Sequence, residues 1–455
     1  MRFKKMAAIT MAGIMCAGLL TGCAGTAGES GKDSGTGTGA TGSGAGPVTE
    51  AAGTGEETTI TFGIHVADPA AQEKVTYDIV QEFNKKYAGQ YKVEFEAADT
   101  ETHKTNMKLE AADGSLPQVF WMDSSAAPEF SEAGYLLDLS GFLGEYSSTA
   151  SALDDSVLQA FNNGTQYGLP YQCNVEGFFY NKEVFDKAGV TYPTNGTTYE
   201  EFLKMVADLN AAGYTPIAQG SKDSNFAIWS YLAFLTRYGY SENINAILTG
   251  NMKFSNDDMV KCFQKLQELG QNKAFPSNMS TISYFDAKTS FENGDCALLN
   301  TGAWDCAELD QTMGDKVGFW WGPTFSDSTY EQKISMKVPS APLCVSAKVA
   351  EDEKVKAAVY AFLEFYYSQE AAALSYAGSV FPATNYTDIT VGDTQYALKA
   401  VMASLADGWQ SPSAQPDQIL TSAVQSQLYD SMLGVMMGNY TPEAALQKLD
   451  DQMAY

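Results

Sequence analysis

The chain has 455 residues, 45% of them hydrophobic and 12% aromatic, which supplies ample apolar surface for two packed domains and excludes a fully disordered polypeptide. Its formal net charge of −27 gives a surface that repels nucleic acid and anionic lipid headgroups. With two histidines, His65 and His103, in no spacing such as HExxH, there is little material for a His-dependent triad or a metal centre.

Arg2, Lys4 and Lys5 precede Met6 to Leu20, a run of about 15 mostly apolar residues, short of the roughly 18 that cross a bilayer. Residues 1–22 read as a signal peptide. Leu20-Thr21-Gly22-Cys23 resembles a bacterial lipobox, in which the cysteine thiol is lipidated and the chain is cut in front of it. Cys23 is then the first mature residue and carries the membrane anchor, which is stable when two or more acyl chains are attached. From 23 to 57 the chain is rich in Gly, Ser, Thr and Ala without aromatics, so it cannot offset its ordering entropy by burial. It is expected to be a flexible tether with a typical span of roughly 30 Å.

The folded part opens with an alternating β-rich run, Thr58 to Val66. A helix follows, with Asp68 as N-cap, Pro69 in its first turn, and Val75, Ile79, Phe83 and Tyr87 on one face. Tyr91 to Ala97 alternates again, Met107 to Ala112 reads as helix, and Gln118 to Met122 as a short buried strand. Tyr167 to Tyr171 and Gly177 to Tyr180 read as further strands. Longer helices come next: Thr198 to Asn210 with a Thr198/Glu201 capping box, and Asn256 to Leu269 ending at Gly270. Glu351 to Tyr367 is amphipathic, and Thr441-Pro442-Glu443 opens a terminal helix. Strands alternating with helices predict an α/β fold, and no internal repeat or second linker appears, so two lobes would be interleaved in sequence.

Beyond the leader and Cys23 stand five cysteines, Cys173, Cys262, Cys296, Cys306 and Cys344, an odd, scattered set without CxxC spacing. They are expected to be buried small hydrophobes, with a Cys296–Cys306 pair as the alternative. No GxSxG or P-loop pattern occurs, and no cofactor or metal is expected. A carboxylate pair for glycoside hydrolysis is an alternative, because separation in space is invisible in a sequence. The six tryptophans are the stronger lead, since flat aromatic faces suit the apolar face of a sugar ring; core packing is the competing explanation for each. Trp320 and Trp321 point to opposite sides of any strand that holds both.

Several segments together resemble the extracellular solute-binding proteins of bacterial ABC importers, the family that includes maltose-type binders. They are Ala111-Ala112-Asp113-Gly114-Ser115-Leu116-Pro117-Gln118-Val119-Phe120, Tyr167-Gly168-Leu169-Pro170-Tyr171, and Phe179-Tyr180-Asn181-Lys182 with Phe185-Asp186-Lys187-Ala188-Gly189. Thr198-Tyr199-Glu200-Glu201-Phe202, Pro216-Ile217-Ala218, Phe291-Glu292-Asn293-Gly294-Asp295-Cys296-Ala297 and Gly302-Ala303-Trp304 complete the series. Gln118 departs from the usual Asp, and Tyr199 from the usual Trp.

The resemblance implies a two-lobed α/β fold, each lobe a mainly parallel sheet flanked by helices, with a ligand cleft between. One lobe would comprise 58–168 plus 324–367 and the other 170–322 plus 369–455, with crossings at Pro170, at Gly322-Pro323 and after Tyr367. It places Trp304 first as a stacking residue and Trp229 second. Strand ends nominate His65, Trp121, Asp123 and Ser124; Tyr171, Asn174 and Glu176 follow the first crossing; Trp321, Trp409, Asp223 and Phe381 rank lower. The implied function is a monomeric, non-enzymatic receptor on the outer face of the cell membrane. It would capture a mono- or oligosaccharide by hinge closure and deliver it to the permease subunits. The alternatives are a polyamine, peptide or other small organic solute, or a glycoside hydrolase. Arg237, the only arginine besides Arg2, leaves a carboxylate clamp poorly supplied.

Overall fold

A computed structural model describes residues 57–153, 158–222, 227–386, 388–405, 408–412 and 415–453. The leader, Cys23, nearly all of the tether, and Asp223 lie outside the described residues. Two sheets organise the rest. The first has the order β2-β1-β3-β10-β4, built from β1 (Thr58–Ile64), β2 (Tyr91–Ala97), β3 (Val119–Trp121), β4 (Leu169–Pro170) and β10 (Pro342–Val345). The second has the order β6-β7-β5-β8, from β5 (Cys173–Asn181), β6 (Thr215–Ala218), β7 (Cys296–Gly302) and β8 (Val317–Trp320), with β9 (Met336–Pro339) also pairing with β5. Helices flank both, giving the two-lobed α/β architecture expected. Among the named strands, parallel pairing is confined to β1–β2, β1–β3 and β6–β7, so the sheets are more mixed than the resemblance implies. Three segments that meet antiparallel partners account for this: β10 and β4 in the first sheet and the long β5 in the second.

Local signals set most boundaries. Asp68 caps a first turn, Pro69–Gln72, by accepting from the Ala71 amide, but the helix breaks there and restarts as Lys74–Lys86, burying Ile79 and Phe83. The capping box at Thr198 and Glu201 is formed in both directions. Thr441 caps Pro442–Gln452. Gly270 does not end its helix, which runs from Asp257 to Gln271. Its role is close approach: a Cβ on Gly270 would fall 2.0 Å from the Met436 carbonyl oxygen of helix Ser422–Met436. Cys262, Cys296, Cys306 and Cys344 are buried free thiols and Cys173 is also buried, so Cys296 and Cys306 do not pair. Among the described residues no helix is long and apolar enough to cross a membrane.

Two crossings define the hinge. The first is Tyr171-Gln172, between β4 and β5; the second is Ser340-Ala341, between β9 and β10. They run side by side, the Ser340 amide donating to Gln172 O at 2.8 Å and the Tyr171 amide to Ala341 O at 3.1 Å. The expected crossing at Gly322-Pro323 is therefore displaced. Phe325, Ile334, Met336 and Val338 belong to the core of the second lobe, and β9 pairs with the first half of β5 before the chain returns. After helix Glu353–Tyr366 the chain stays with the first lobe, Tyr367, Ala371 and Ala383 packing in its core while Tyr376 and Phe381 reach the second, so the expected crossing after Tyr367 is displaced toward the C-terminus.

Candidate functional site

The sheets meet edge to edge. In the first, β1 and β3 are parallel, so their carboxyl ends lie together and carry His65, Trp121, Asp123 and Ser124. In the second, the carboxyl end of β7 lies beside the start of β5, Glu176 standing opposite Gly302. Because two residues link β4 to β5, and two link β9 to β10, these edges face each other across the hinge. This is where open α/β sheets gather ligands.

On the first lobe the His65 ring stacks on Trp121, centroids 4.2 Å apart, with Tyr171 edge-on at 6.1 Å. Burial, then the charges near His103 and Lys104, pushes the His65 pKa down to about 3, so the imidazole is neutral at physiological pH. The 3.8 Å approach of Glu73 to His65 is therefore not an ion pair. Burial raises the Glu73 pKa to about 7, opposed by the Tyr171 hydroxyl that donates to it at 3.2 Å. Burial also favours neutral Asp123, but Lys104 at 3.0 Å and Ser125 win and hold its pKa below the usual range.

The second lobe supplies an aromatic wall. Trp229, at the start of helix Trp229–Arg237, is edge-on to Trp304 at 5.0 Å and to Tyr284 at 5.1 Å, and the Trp304 indole N–H donates to the Tyr284 hydroxyl at 3.4 Å. All three are half-buried. Their support is rigid. The Ser230 hydroxyl donates to Gly177 O, and the Ser230 amide to Asn300 Oδ1 at 2.8 Å, fastening the helix start to the sheet. Asp305 accepts from Tyr284 and Thr301 and pairs with Lys288 at 3.1 Å, both charged side chains being almost wholly buried.

A third element joins the lobes. Gln415 accepts from Asn174 at 3.2 Å, and Gln418 accepts from the Ser124 hydroxyl of the first lobe at 3.1 Å. Between them, Asp417 is 4% exposed; one of its oxygens accepts from Tyr429 and the other has no hydrogen-bond partner among the described residues. Glu176 is 1% exposed, with neither carboxyl oxygen hydrogen-bonded among the described residues. Burial raises both pKa values, and for Glu176 the neighbouring Asp417 adds to the effect. Ser124, Gln415 and Gln418 also line a cavity of about 740 Å³ bounded by both lobes, whose lining includes no tryptophan.

The family model of the bacterial extracellular solute-binding proteins matches residues 67–373, well over half of the chain. The chain belongs to that family. A Multiple sugar-binding protein of Streptococcus mutans serotype c is 24% identical over 215 residues, 46% of this chain and 49% of that one. An sn-glycerol-3-phosphate-binding periplasmic protein of Escherichia coli (strain K12) is 26% identical over 250 residues, 54% of this chain and 53% of the other. The aligned region thus spans about half the length of these curated relatives. Among solved structures, a Chitin oligosaccharide binding protein superposes with TM-score 0.74 at 23% identity, covering 87% of this chain and 98% of that one. The solute-binding protein RafE in complex with raffinose gives 0.68 at 20% identity, covering 87% and 98%. At these identities the likeness is one of fold.

Within this solute-binding protein, His65, Trp121, Asp123, Ser124, Asn174, Glu176, Trp229 and Trp304 come to the facing edges of the two sheets. Tyr171 does so as a support: it is 3% exposed, with its hydroxyl engaged by Thr76 and Glu73. Trp321 does not reach the cleft. It is fully buried against Phe319 on the opposite face of the second sheet, its indole N–H donating to Ser404 O at 3.3 Å. Trp320 is equally buried, on the Phe178 side. Trp409 stacks on Trp321 at 6.3 Å and Phe381 lies in the core, so neither joins the aromatic wall. Arg237 is no clamp either, since its guanidinium donates to the carbonyls of Trp321, Pro323, Gln332 and Ile334. The sequence reasoning missed Glu73, Tyr284, Gln415, Asp417 and Gln418. Tyr284 had a local signal, because Ser283 and Asp286 form a capping box that places it at a helix start.

Proposed function

We propose that this protein is a lipid-anchored receptor of an ABC importer, which captures a carbohydrate by closing its two lobes and delivers it to the permease. The observation that carries the reading is the pair of facing surfaces. His65 and Trp121 stand on one strand edge and Trp229, Tyr284 and Trp304 on the other, across a hinge of two adjacent crossings. Indole and phenol faces cover the apolar faces of sugar rings, while Asn174, Gln415 and Gln418 offer amides to hydroxyls. The sugar-binding relative and the chitin-oligosaccharide and raffinose neighbours support the same ligand class. A peptide carboxylate finds no free arginine among the described residues, Arg237 being committed to four carbonyls. Cys23 carries the anchor, and the tether lets the receptor turn between solute and permease.

Thermal-shift screening of the chain from residue 58 onward against mono- and oligosaccharides tests the ligand class. A sugar at 100 times its dissociation constant adds about 2.7 kcal/mol of stability. No shift with any sugar, together with a shift by a polyamine or peptide, would overturn the reading. Glycan cleavage during the assay would point to the hydrolase instead. Release of Cys23→Ala from cells into the medium, with the wild type retained, tests the anchor.

A further inference from the structure

Glu176 stands opposite Gly302 in the ladder between β5 and β7. Directly opposed residues present their side chains on the same face, about 5 Å apart. A Cβ on Gly302 would fall 2.2 Å from Cζ3 of Trp304, so the indole lies over Gly302 on the face that Glu176 shares. Phe178, two residues beyond Glu176 and thus on that face, packs edge-on against Tyr231 of the helix that Trp229 begins. The aromatic wall and the Glu176 carboxyl therefore converge at one edge of the sheet.

Burial raises both pKa values, so this pair ionises fully only when a cation reaches it. Among the described residues neither Glu176 oxygen has a hydrogen-bond partner and one Asp417 oxygen has none, and the charge that acts most on Glu176 is that of Asp417 itself. Among the described residues neither carboxyl contacts a lysine, arginine or histidine. Lys104 is committed to Asp123, Lys288 to Asp305, and Arg237 to carbonyls. A neutral sugar hydroxyl satisfies one lone pair but brings no charge to offset ionisation of the pair. A buried carboxylate pair beside aromatic faces is suited to a cation, which gains from both the carboxylates and the ring quadrupoles. Asp417 lies between Gln415 and Gln418, the segment that bridges to Ser124 of the first lobe, so a group held here is enclosed when the lobes are together.

We infer that Glu176 and Asp417 form an anionic anchor for a protonated amine on the captured solute, so that the receptor selects amino sugars over their hydroxyl counterparts. This rests on the carbohydrate reading above and narrows it. The amine would lie between the two carboxylates and the Trp304 ring, with the sugar face against Trp229 and Tyr284.

The test compares sugars that differ only at the amine. Glucose, glucosamine and N-acetylglucosamine, the corresponding galactose and mannose sets, and the β-1,4-linked trimers of the glucose set are titrated calorimetrically into the wild type, Glu176→Gln and Asp417→Asn. The expected result is that at least one free amine binds about tenfold or more tightly than both its hydroxyl and its acetylated twin. Glu176→Gln should bring that ratio close to one, with circular dichroism and the urea midpoint showing that the variant is folded. If hydroxyl or acetylated sugars bind as well as the amines, or if no sugar in these sets binds, the inference is overturned; neutral binding alone leaves the carbohydrate reading standing. Binding by spermidine and by no sugar overturns both that reading and the inference drawn from it. A thermal shift with calcium chloride alone, lost in Glu176→Gln, would make the pair a metal site and also overturn the inference.

Discussion

Gly302→Ala isolates the aromatic wall from the rest of the cleft. Gly302 is in extended backbone, φ −134°, so alanine meets no backbone strain there. The added Cβ would stand 2.2, 2.4 and 2.6 Å from three atoms of the Trp304 six-membered ring. Carbon atoms rest at about 3.5–4.0 Å, so the ring must move by about 1.5 Å. Trp304 is half-buried, so its ring rather than the sheet beneath it is expected to move. The stability cost is expected to be about 1 kcal/mol, at the low end for overpacking. The binding cost should be larger, because displacing an aromatic anchor typically removes about 2 kcal/mol, close to thirtyfold in affinity. Calorimetric titration of the sugar that gives the largest thermal shift measures this. Trp304→Ala should lose a similar factor, and the double variant should be no worse than Trp304→Ala, because the alanine methyl then has nothing to displace. Wild-type affinity in Gly302→Ala, or losses that add in the double variant, would refute the placement of Trp304 against the ligand.

Arg237→Met removes the donors from four carbonyls at once and should cost about 3–5 kcal/mol, read as a lower urea midpoint, with sugar affinity of the folded fraction unchanged. Loss of affinity without loss of stability would make Arg237 a ligand contact instead. Glu73 gives a signed pH effect. Its folded pKa of about 7 exceeds its ordinary value of 4.5, so between these the unfolded chain releases the proton first and stability falls as pH rises. That cost reaches about 3 kcal/mol by pH 7.5 and is absent in Glu73→Gln, so the variant should gain on the wild type between pH 5 and 7.5. Parallel urea midpoints across that range would contradict the burial of Glu73. Burial also raises the thiol pKa values of Cys262, Cys296, Cys306 and Cys344, so a thiol reagent should label these four only once the chain unfolds. Rapid labelling of any of them in the folded protein would place that thiol at the surface.

The legible parts of the fold were those written in local chemistry. Asp68, Thr198 and Thr441 cap helices where their side chains and neighbours predict, because a cap is decided within four residues. Gly270 misled for the same reason: its absent side chain answers a carbonyl more than 160 residues away rather than a helix end. The crossing at Ser340-Ala341 was hidden because its two-residue length carries no turn signal, whereas Gly322-Pro323 carries a strong one and lies within the second lobe. For the site, strand ends found His65, Trp121 and Asp123, since position on a parallel strand fixes which edge a residue occupies. The tryptophans could not be sorted by sequence. Trp304 and Trp321 each sit beside a sheet, and only tertiary packing puts one over a glycine at the cleft edge and the other in the core. Asp417 was invisible in the same way, coming to Glu176 from a segment about 240 residues distant.

In the proposed function, two aromatic surfaces close on a carbohydrate. The most direct measurement of this is calorimetric titration of the best-shifting sugar into the wild type, Trp229→Ala and Trp304→Ala. Micromolar binding to the wild type, with tenfold or greater weakening in both variants, is the result expected. Unchanged affinity in both, or no sugar binding by the wild type, would contradict the account.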